Sequence, residues 1–507
     1  MDRTCSCGTR ATSSVIGWGA VERYDVIIIG AGLSGIGAAC QLRRRLPDRR
    51  LLILEARHAI GGTWDLFRYP GIRSDSDMHT LGYGFRPWRA AEAIADGPAI
   101  RAYIEETARE EGVAEHIRFG HRVTAADWSS AESRWTLTVE REGAPSLFLA
   151  CDWLHACTGY YAYDRAHRPA LAGEGEFAGT IVHPQFWPER LDYAGRRVAV
   201  IGSGATAMTL VPALARTAAH VTMVQRSPSY VVSRPARDRV ADRLRKLLPG
   251  RAAYAVTRWK NVLLGQFFYR LARRRPRGVA RRLIAMVRQE LGADFDIATH
   301  FTPRYDPWDQ RLCLVPDGDL FAALREGRAS VATGTIERLT RDGLLLVDGT
   351  HVAADIVVTA TGLEILLLGG LTLSRDGTVI DPAGSLQYKG MMLSDVPNFS
   401  FAFGYTNASW TLKADLVAAY LCRLLRAMRR RGAASATPRV RIGSVVELPF
   451  ADLSSGYFRR ALPTLPRQGH RRPWRLNQNY ALDVLALRFG SVAEEVEFVA
   501  GGSGDRA

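Results

Sequence analysis

The chain is poor in paired thiols, in long uncharged apolar runs and in acid, and each shortage removes a class of protein. Its seven cysteines stand at positions 5, 7, 40, 151, 157, 313 and 422 of 507 residues. None form a CxxC pair, and none cluster with histidine at zinc-ligand spacing, so neither a redox dithiol nor a metal site is expected. Scattered thiols suit a reducing cytoplasm, which is the expected location. No uncharged apolar stretch approaches the roughly 20 residues that a membrane-spanning helix needs. Residues 1–21 are polar and irregular and lack the apolar core of a secretory signal, so a disordered extension is expected there.

The shortage of acid is local. The whole chain carries 67 Lys and Arg against 51 Asp and Glu, a formal net charge of +16. Residues 234–290 hold 17 of the bases and only three acids, Asp238, Asp242 and Glu290. Apolar groups interleave with them at helical spacing, among them Trp259, Leu263, Leu264, Phe267 and Phe268. Three readings are open. One is a solvated helical insertion (234–300) over an active site. Another is a basic amphipathic surface that meets anionic lipid, placing the protein peripherally at the inner face of the cell membrane. The third, a nucleic-acid face, is disfavoured because no binding motif accompanies the charge.

Two glycine fingerprints dominate what is present. The apolar run 24–29 reads as a strand buried on both faces and ends in Gly30-Ala31-Gly32-Leu33-Ser34-Gly35, where a helical pattern opens. In such a turn the first glycine permits the tight bend. The second lets the backbone approach a pyrophosphate, and the third lets helix and strand pack closely. The phosphates would then face free N–H groups at the helix N-terminus. A second strand, 51–54, leads to Glu55, 20 positions beyond Gly35, where an acid can accept ribose hydroxyls. The second fingerprint is Gly202-Ser203-Gly204-Ala205-Thr206-Ala207, with alanine in the third place. Its following strand ends not in acid but in Arg226-Ser227. An arginine there can pair with a 2′-phosphate, whereas an acid would repel it. The first site therefore suits FAD or NAD, and the second suits NADP.

These units imply an α/β protein with two Rossmann-like dinucleotide-binding domains. Residues 22–165 begin the FAD-binding domain, 166–345 form the NADP-binding domain with its basic helical insertion, and 346–507 complete the FAD domain. The NADP domain is thus inserted into the FAD domain. Cys157-Thr158-Gly159 and Ala360-Thr361-Gly362 mark the two crossings.

Between the fingerprints lies FxGxxxHxxxWP, met by Phe177, Gly179, His183, Trp187 and Pro188. A second pattern, GGxWxxxxYPGxxxD, is met by Gly61, Gly62, Trp64, Tyr69, Pro70, Gly71 and Asp75. Together they resemble the type I Baeyer–Villiger flavin monooxygenases. Residues 61–81, 306–313, 388–392 and 404–415 are similar to that family's actinobacterial thioamide-activating (ethionamide) branch, and the resemblance covers residues 22–485. It implies tightly bound FAD, NADPH as reductant, and a C4a-peroxyflavin formed with O2. That species would insert one oxygen atom into a ketone, giving an ester or lactone, and would also oxygenate sulfides or thioamides.

The resemblance implies site residues too. Arg311 matches the family's active-site arginine, a fixed cation for an anionic peroxide and its adduct. Asp75 matches the carboxylate that orients this arginine. His183 carries either direct chemistry or a structural bond at the domain hinge, and the structural role is favoured. Gly62, Thr63, Trp64 and Tyr69 are expected to wall the flavin. Asn407 and Ser409 are expected to cap the helix that follows them. Gln310 stands where many relatives carry lysine. The nearest rival is a flavin monooxygenase acting mainly on nitrogen or sulfur, against which Trp187-Pro188 argues. A disulfide reductase would need the missing dithiol. A non-catalytic membrane-associated binding protein would bind no flavin.

Overall fold

The structure is a computed structural model that describes residues 21–310, 312–441, 443–450 and 455–501. The expected N-terminal extension lies outside the described residues save for its last position. Strand Glu22–Ile29 becomes the centre of a nine-stranded sheet because its apolar run has no polar face. It pairs in parallel with Leu51–Leu54 on one side and Ala144–Ala156 on the other. An antiparallel arm, Arg134–Arg141 and His121–Ser129, extends the sheet beyond Ala144–Ala156. The returning chain adds Thr372–Arg375 at that edge and Phe399–Phe401 beside Ala144–Ala156. Helices Leu33–Arg45 and Trp410–Arg431 share one core over this sheet, with Ile36, Ala39, Leu416 and Tyr420 all buried.

The second sheet is wholly parallel, in the order Ala329–Thr333, His220–Gln225, Arg197–Ile201, Ile356–Thr359 and Thr180–Val182. Each sheet carries its own fingerprint, so the two Rossmann-like domains are those expected. Their boundary moves, however. Ile356–Thr359 inserts between Arg197–Ile201 and Thr180–Val182, so the second domain keeps the chain to Thr359 rather than releasing it at 345. A three-stranded meander from Ile336 to Ala353 precedes that strand. Its Leu339, Leu344, Leu346 and Val352 pack on Ala199, Ile201 and Val357 of the second sheet.

The two crossings are stitched to each other. The Ala162 N–H donates to the Glu364 carbonyl at 2.9 Å, and the Leu366 N–H to the Tyr160 carbonyl at 3.0 Å. The basic insertion folds as helices Arg239–Leu247, Gly250–Arg274 and Pro276–Leu291. The longest is fixed to the first domain by a buried cation. Arg258 Nη1 donates to the carbonyls of His79 (2.8 Å) and Gly82 (2.7 Å), and its Nη2 meets Asp415 Oδ2 at 3.3 Å. Asp415 also accepts the Gly84 N–H at 2.8 Å. Among the described residues, no helix is long and apolar enough to cross a membrane, and no group of three or more His, Cys, Asp or Glu could hold a metal.

Candidate active site

Both fingerprints fold as turns that only glycine fits. Gly30 has φ +103° and Gly202 has φ +140°. A Cβ at Gly30 would meet the Cys157 carbonyl oxygen at 2.5 Å, and one at Gly202 would meet that of Ala360 at 2.4 Å. Backbone shape and space therefore both exclude a side chain. A Cβ at Gly35 would lie 1.9 Å from the Gly30 carbonyl oxygen, which is the close helix–strand contact required of the third glycine. Ala207 takes that place in the second turn and is fully buried. Gly204 differs. Its backbone is extended, and a Cβ there would meet no protein atom within 4 Å. Neither fold nor packing requires glycine at 204, whereas close approach by a phosphate does.

Gly61 and Gly62 close over the first turn. The Gly61 N–H donates to the Ala31 carbonyl at 3.2 Å, and a Cβ at Gly62 would come within 3.1 Å of Gly32 Cα. Thr63 and Trp64 follow in a short helix, Thr63–Leu66. Glu55 is buried at the end of Leu51–Leu54, where one carboxylate oxygen accepts the Ala31 N–H (2.7 Å) and the other the Arg57 N–H (2.9 Å). Burial pushes its pKa above the usual carboxyl range, against the pull of those two donors.

The first turn, its Gly61–Gly62 cover and Glu55 border one cavity of about 1300 Å³ between the domains, which the second fingerprint reaches through Ala205 and Thr206, while Gly202, Gly204 and Ala207 do not line it. A pocket for one drug-sized ligand spans roughly 300–1,000 Å³, so this one has room for more than one group. Its walls include Gly30, Gly32, Glu55, Gly62, Thr63, Trp64, Tyr69 and Asp75 from the first domain, and Ala205, Thr206 and Thr209 from the second. Three helices present their first residues here: Leu33–Arg45, Ala205–Leu214 and Trp410–Arg431. None has a side-chain cap. Three sets of free N–H groups and three positive dipole ends thus converge, an arrangement suited to anionic phosphates and to negative charge between them.

The expected capping at the third helix does not occur. Ser409 stands at the N-cap position, but its hydroxyl shares a 2.6 Å hydrogen bond with Thr80 Oγ1. The Asn407 amide donates instead to the Gln478 carbonyl at 2.9 Å. Trp410 does the fixing that was expected of them. Its indole N–H donates to Ser34 Oγ at 2.8 Å, joining the starts of two of the converging helices, and Tyr160 stacks on its ring at 4.9 Å. Spacing gives no sign of this pair, because the two residues stand 376 positions apart and meet only through the packing of their helices.

The remaining expected residues divide. Asp75 lines the cavity. Arg311 lies outside the described residues, while its neighbours Gln310 and Leu312 line the cavity. Arg226 and Ser227 are exposed just past the end of His220–Gln225, beside Ser203, whose hydroxyl donates to the Ser227 carbonyl at 3.0 Å. His183 is not among the cavity-lining residues. It follows strand Thr180–Val182, and its Nδ1 accepts the Gln185 N–H at 3.1 Å. Burial lowers its pKa, which keeps the ring neutral at physiological pH. Gln185 then reaches the first crossing, its amide donating to the carbonyls of Ala162 (2.8 Å) and Tyr163 (3.2 Å). The FxGxxxHxxxWP segment is therefore wired to the interdomain crossing.

A family model for flavin-binding monooxygenase-like proteins matches residues 95–365, and one for an NAD(P)-binding Rossmann-like domain matches residues 28–97. The chain is 52% identical over 475 residues to the FAD-containing monooxygenase EthA of Mycolicibacterium smegmatis, covering 94% of this chain and 96% of the relative. It is 51% identical to EthA of Mycobacterium tuberculosis over 94% of this chain and 97% of that one. Among solved structures, an oxidized steroid monooxygenase bound to NADP superposes with TM-score 0.74 at 22% identity, over 94% of this chain and all of that one. The cyclohexanone monooxygenase of Rhodococcus sp. Phi1 bound to NADP+ gives TM-score 0.73 at 19% identity, over 95% of this chain and all of that one. At that identity the solved structures establish the shared fold.

Proposed function

We propose a specific reaction for this chain, which belongs to the flavin-binding monooxygenase-like family: insertion of one oxygen atom from O2 into ketones, giving esters or lactones, with oxygenation of sulfides or thioamides at the same site. FAD and NADPH are the cofactors. The observation that carries the reading is the convergence of the first fingerprint, the Ala205-Thr206 end of the second and three uncapped helix N-termini on a single cavity. The names of the relatives, FAD-containing monooxygenases, and of the NADP-bound structural neighbours support it.

The donor set fits both groups. The first turn, closed by Gly61 and Gly62, would hold the FAD pyrophosphate, with Glu55 toward the ribose. The second turn would hold the NADP pyrophosphate against Gly204, with Arg226 and Ser227 toward the 2′-phosphate. When bound, the flavin accepts hydride from the nicotinamide and passes electrons to O2. The chain supplies position and charge. Arg311 would keep a permanent positive charge where negative charge develops on the reacting oxygen. Asp75 would orient that guanidinium. The start of Trp410–Arg431 would favour negative charge at its end of the cavity. His183 and Gln185 would act on the relative placement of the domains rather than on the reacting atoms.

The experiment is direct. The purified protein should be yellow, and it should consume NADPH when given ketones and sulfides, with products heavier by one oxygen. A colourless protein, or NADPH oxidation without oxygenated product from any ketone or sulfide, overturns the reading. Arg226→Ala should raise the NADPH Michaelis constant about 10- to 100-fold, for one lost charge-assisted phosphate contact of about 1.5–3 kcal/mol. The NADH constant should barely move, and equal effects on both cofactors would remove Arg226 from the role.

A further inference from the structure

The helix Gly250–Arg274 does two things at once. Its buried side is held by Arg258, and its Val262, Leu264, Gln266 and Phe268 line the cavity. Its other side is apolar and faces solvent. Val256, Trp259, Leu263 and Phe267 follow each other at three- and four-residue spacing, which places them in one stripe. Leu263 is 57% exposed and Phe267 59%. Leu264 (44% exposed) and Phe268 (39% exposed), each one position beyond a stripe residue, are exposed and also line the cavity, so the apolar surface runs from the stripe into the cavity. Leu247 and Leu248 are also exposed, at the end of the preceding helix. Large apolar side chains gathered outside a fold mark a surface that is covered in use.

We infer that this stripe docks on anionic membrane and that the cavity opens there to take ketones or sulfides carrying a long hydrocarbon chain out of the bilayer. The inference rests on the monooxygenase reading for the chemistry of the substrate, but not for the docking. The charge of the segment selects the occupant. Of the 17 Lys and Arg in residues 234–290, Arg258 is buried and Arg237, Arg245, Lys260 and Arg273 are ion-paired, while Arg270, Arg274, Arg275 and Arg277 are exposed at the end of the stripe. A second copy of so basic a face would be repelled, whereas anionic headgroups would be attracted while the Leu and Phe side chains enter the acyl boundary. A substrate that partitions into lipid would then reach the cavity along Leu264 and Phe268 without crossing water.

The FAD-loaded full chain should float with phosphatidylcholine vesicles containing phosphatidylglycerol, and at least about tenfold less with phosphatidylcholine alone or in high salt. The test variant is Leu263→Ser/Phe267→Ser, since neither residue lines the cavity. It should lose at least about tenfold in binding to anionic vesicles, because two apolar side chains no longer enter the bilayer. It should oxidise a short water-soluble ketone as the parent does, but lose the parent's faster turnover of a long-chain methyl ketone held in those vesicles. Failure of the parent to float at low salt overturns the inference. So does equal flotation of the variant, or a dimer that the variant breaks while no vesicle binds. Absence of turnover of the short ketone counts against the proposed reaction alone, since flotation reads docking independently.

Discussion

Replacing Arg311 by alanine is expected to leave a folded, yellow protein that makes about 10²–10³-fold less oxygenated product, a loss of about 3–4 kcal/mol of transition-state stabilisation. Oxygen transfer to a carbonyl passes through an anionic adduct, whereas hydride transfer between two bound cofactors needs placement above all. A guanidinium cannot be deprotonated in the working range, so its charge is available whatever the pH, and it costs no reorganisation when the anion forms. NADPH should still be consumed by the variant, with hydrogen peroxide released in place of ester or sulfoxide. Product per NADPH and peroxide per NADPH are the quantities to measure together. Arg311→Lys should fall between parent and alanine, because it keeps a charge but loses the planar fork that can bind a carboxylate or an oxyanion through two donors. Normal product yield in Arg311→Ala would remove the residue from the oxygenation step.

The parts of this site that follow from local rules were legible in the sequence. A strand, a glycine turn, a helix and a terminal acid specify one another within about 30 residues, and both turns fold as the spacing requires. Gly30, Gly35 and Gly202 are each excluded from bearing a side chain by backbone atoms a short contact away. The parts that depend on distant segments were not legible. Asn407 and Ser409 have the right residue types for a helix start, yet Thr80 and Gln478 compete for them from elsewhere in the chain and win. Trp410, Ser34 and Tyr160 come together only because two crossings and two helices meet. The return to the first domain was placed early for a related reason. The boundary at 345 cuts the meander Ile336–Ala353, whose Leu339, Leu344, Leu346 and Val352 pack on the second sheet and carry Ile356–Thr359 into it.

Arg258→Met should destabilise the protein by about 3–5 kcal/mol, the cost of leaving a buried charge without its partner. The methionine fills much of the same space, so the loss comes from Asp415, which stays buried, and from the His79 and Gly82 carbonyls that no longer receive a donor. The effect should depend on pH with a definite sign. Burial raises the Asp415 pKa, with Arg258 the main opposing influence. Without the cation it rises further. A carboxyl whose folded pKa lies above its unfolded value binds its proton more tightly when folded, so stability is gained as pH falls through the folded value. The deficit of Arg258→Met should therefore be largest near neutrality and shrink as the pH falls into the acid range, where Asp415 takes up a proton. Arg258→Met/Asp415→Leu should recover part of the loss at neutral pH and show no such pH dependence, because no unpaired charge remains. Urea unfolding across pH measures both effects. Hydrogen exchange should show faster opening of Gly250–Arg274 and of residues 78–84 in the single variant, since the ion pair joins those segments. Because the same helix walls the cavity, its loosening should also raise the substrate Michaelis constant more than it lowers the turnover of bound substrate. A single variant as stable as the parent at pH 7 would show that the helix is held over the cavity by its apolar contacts and not by this cation.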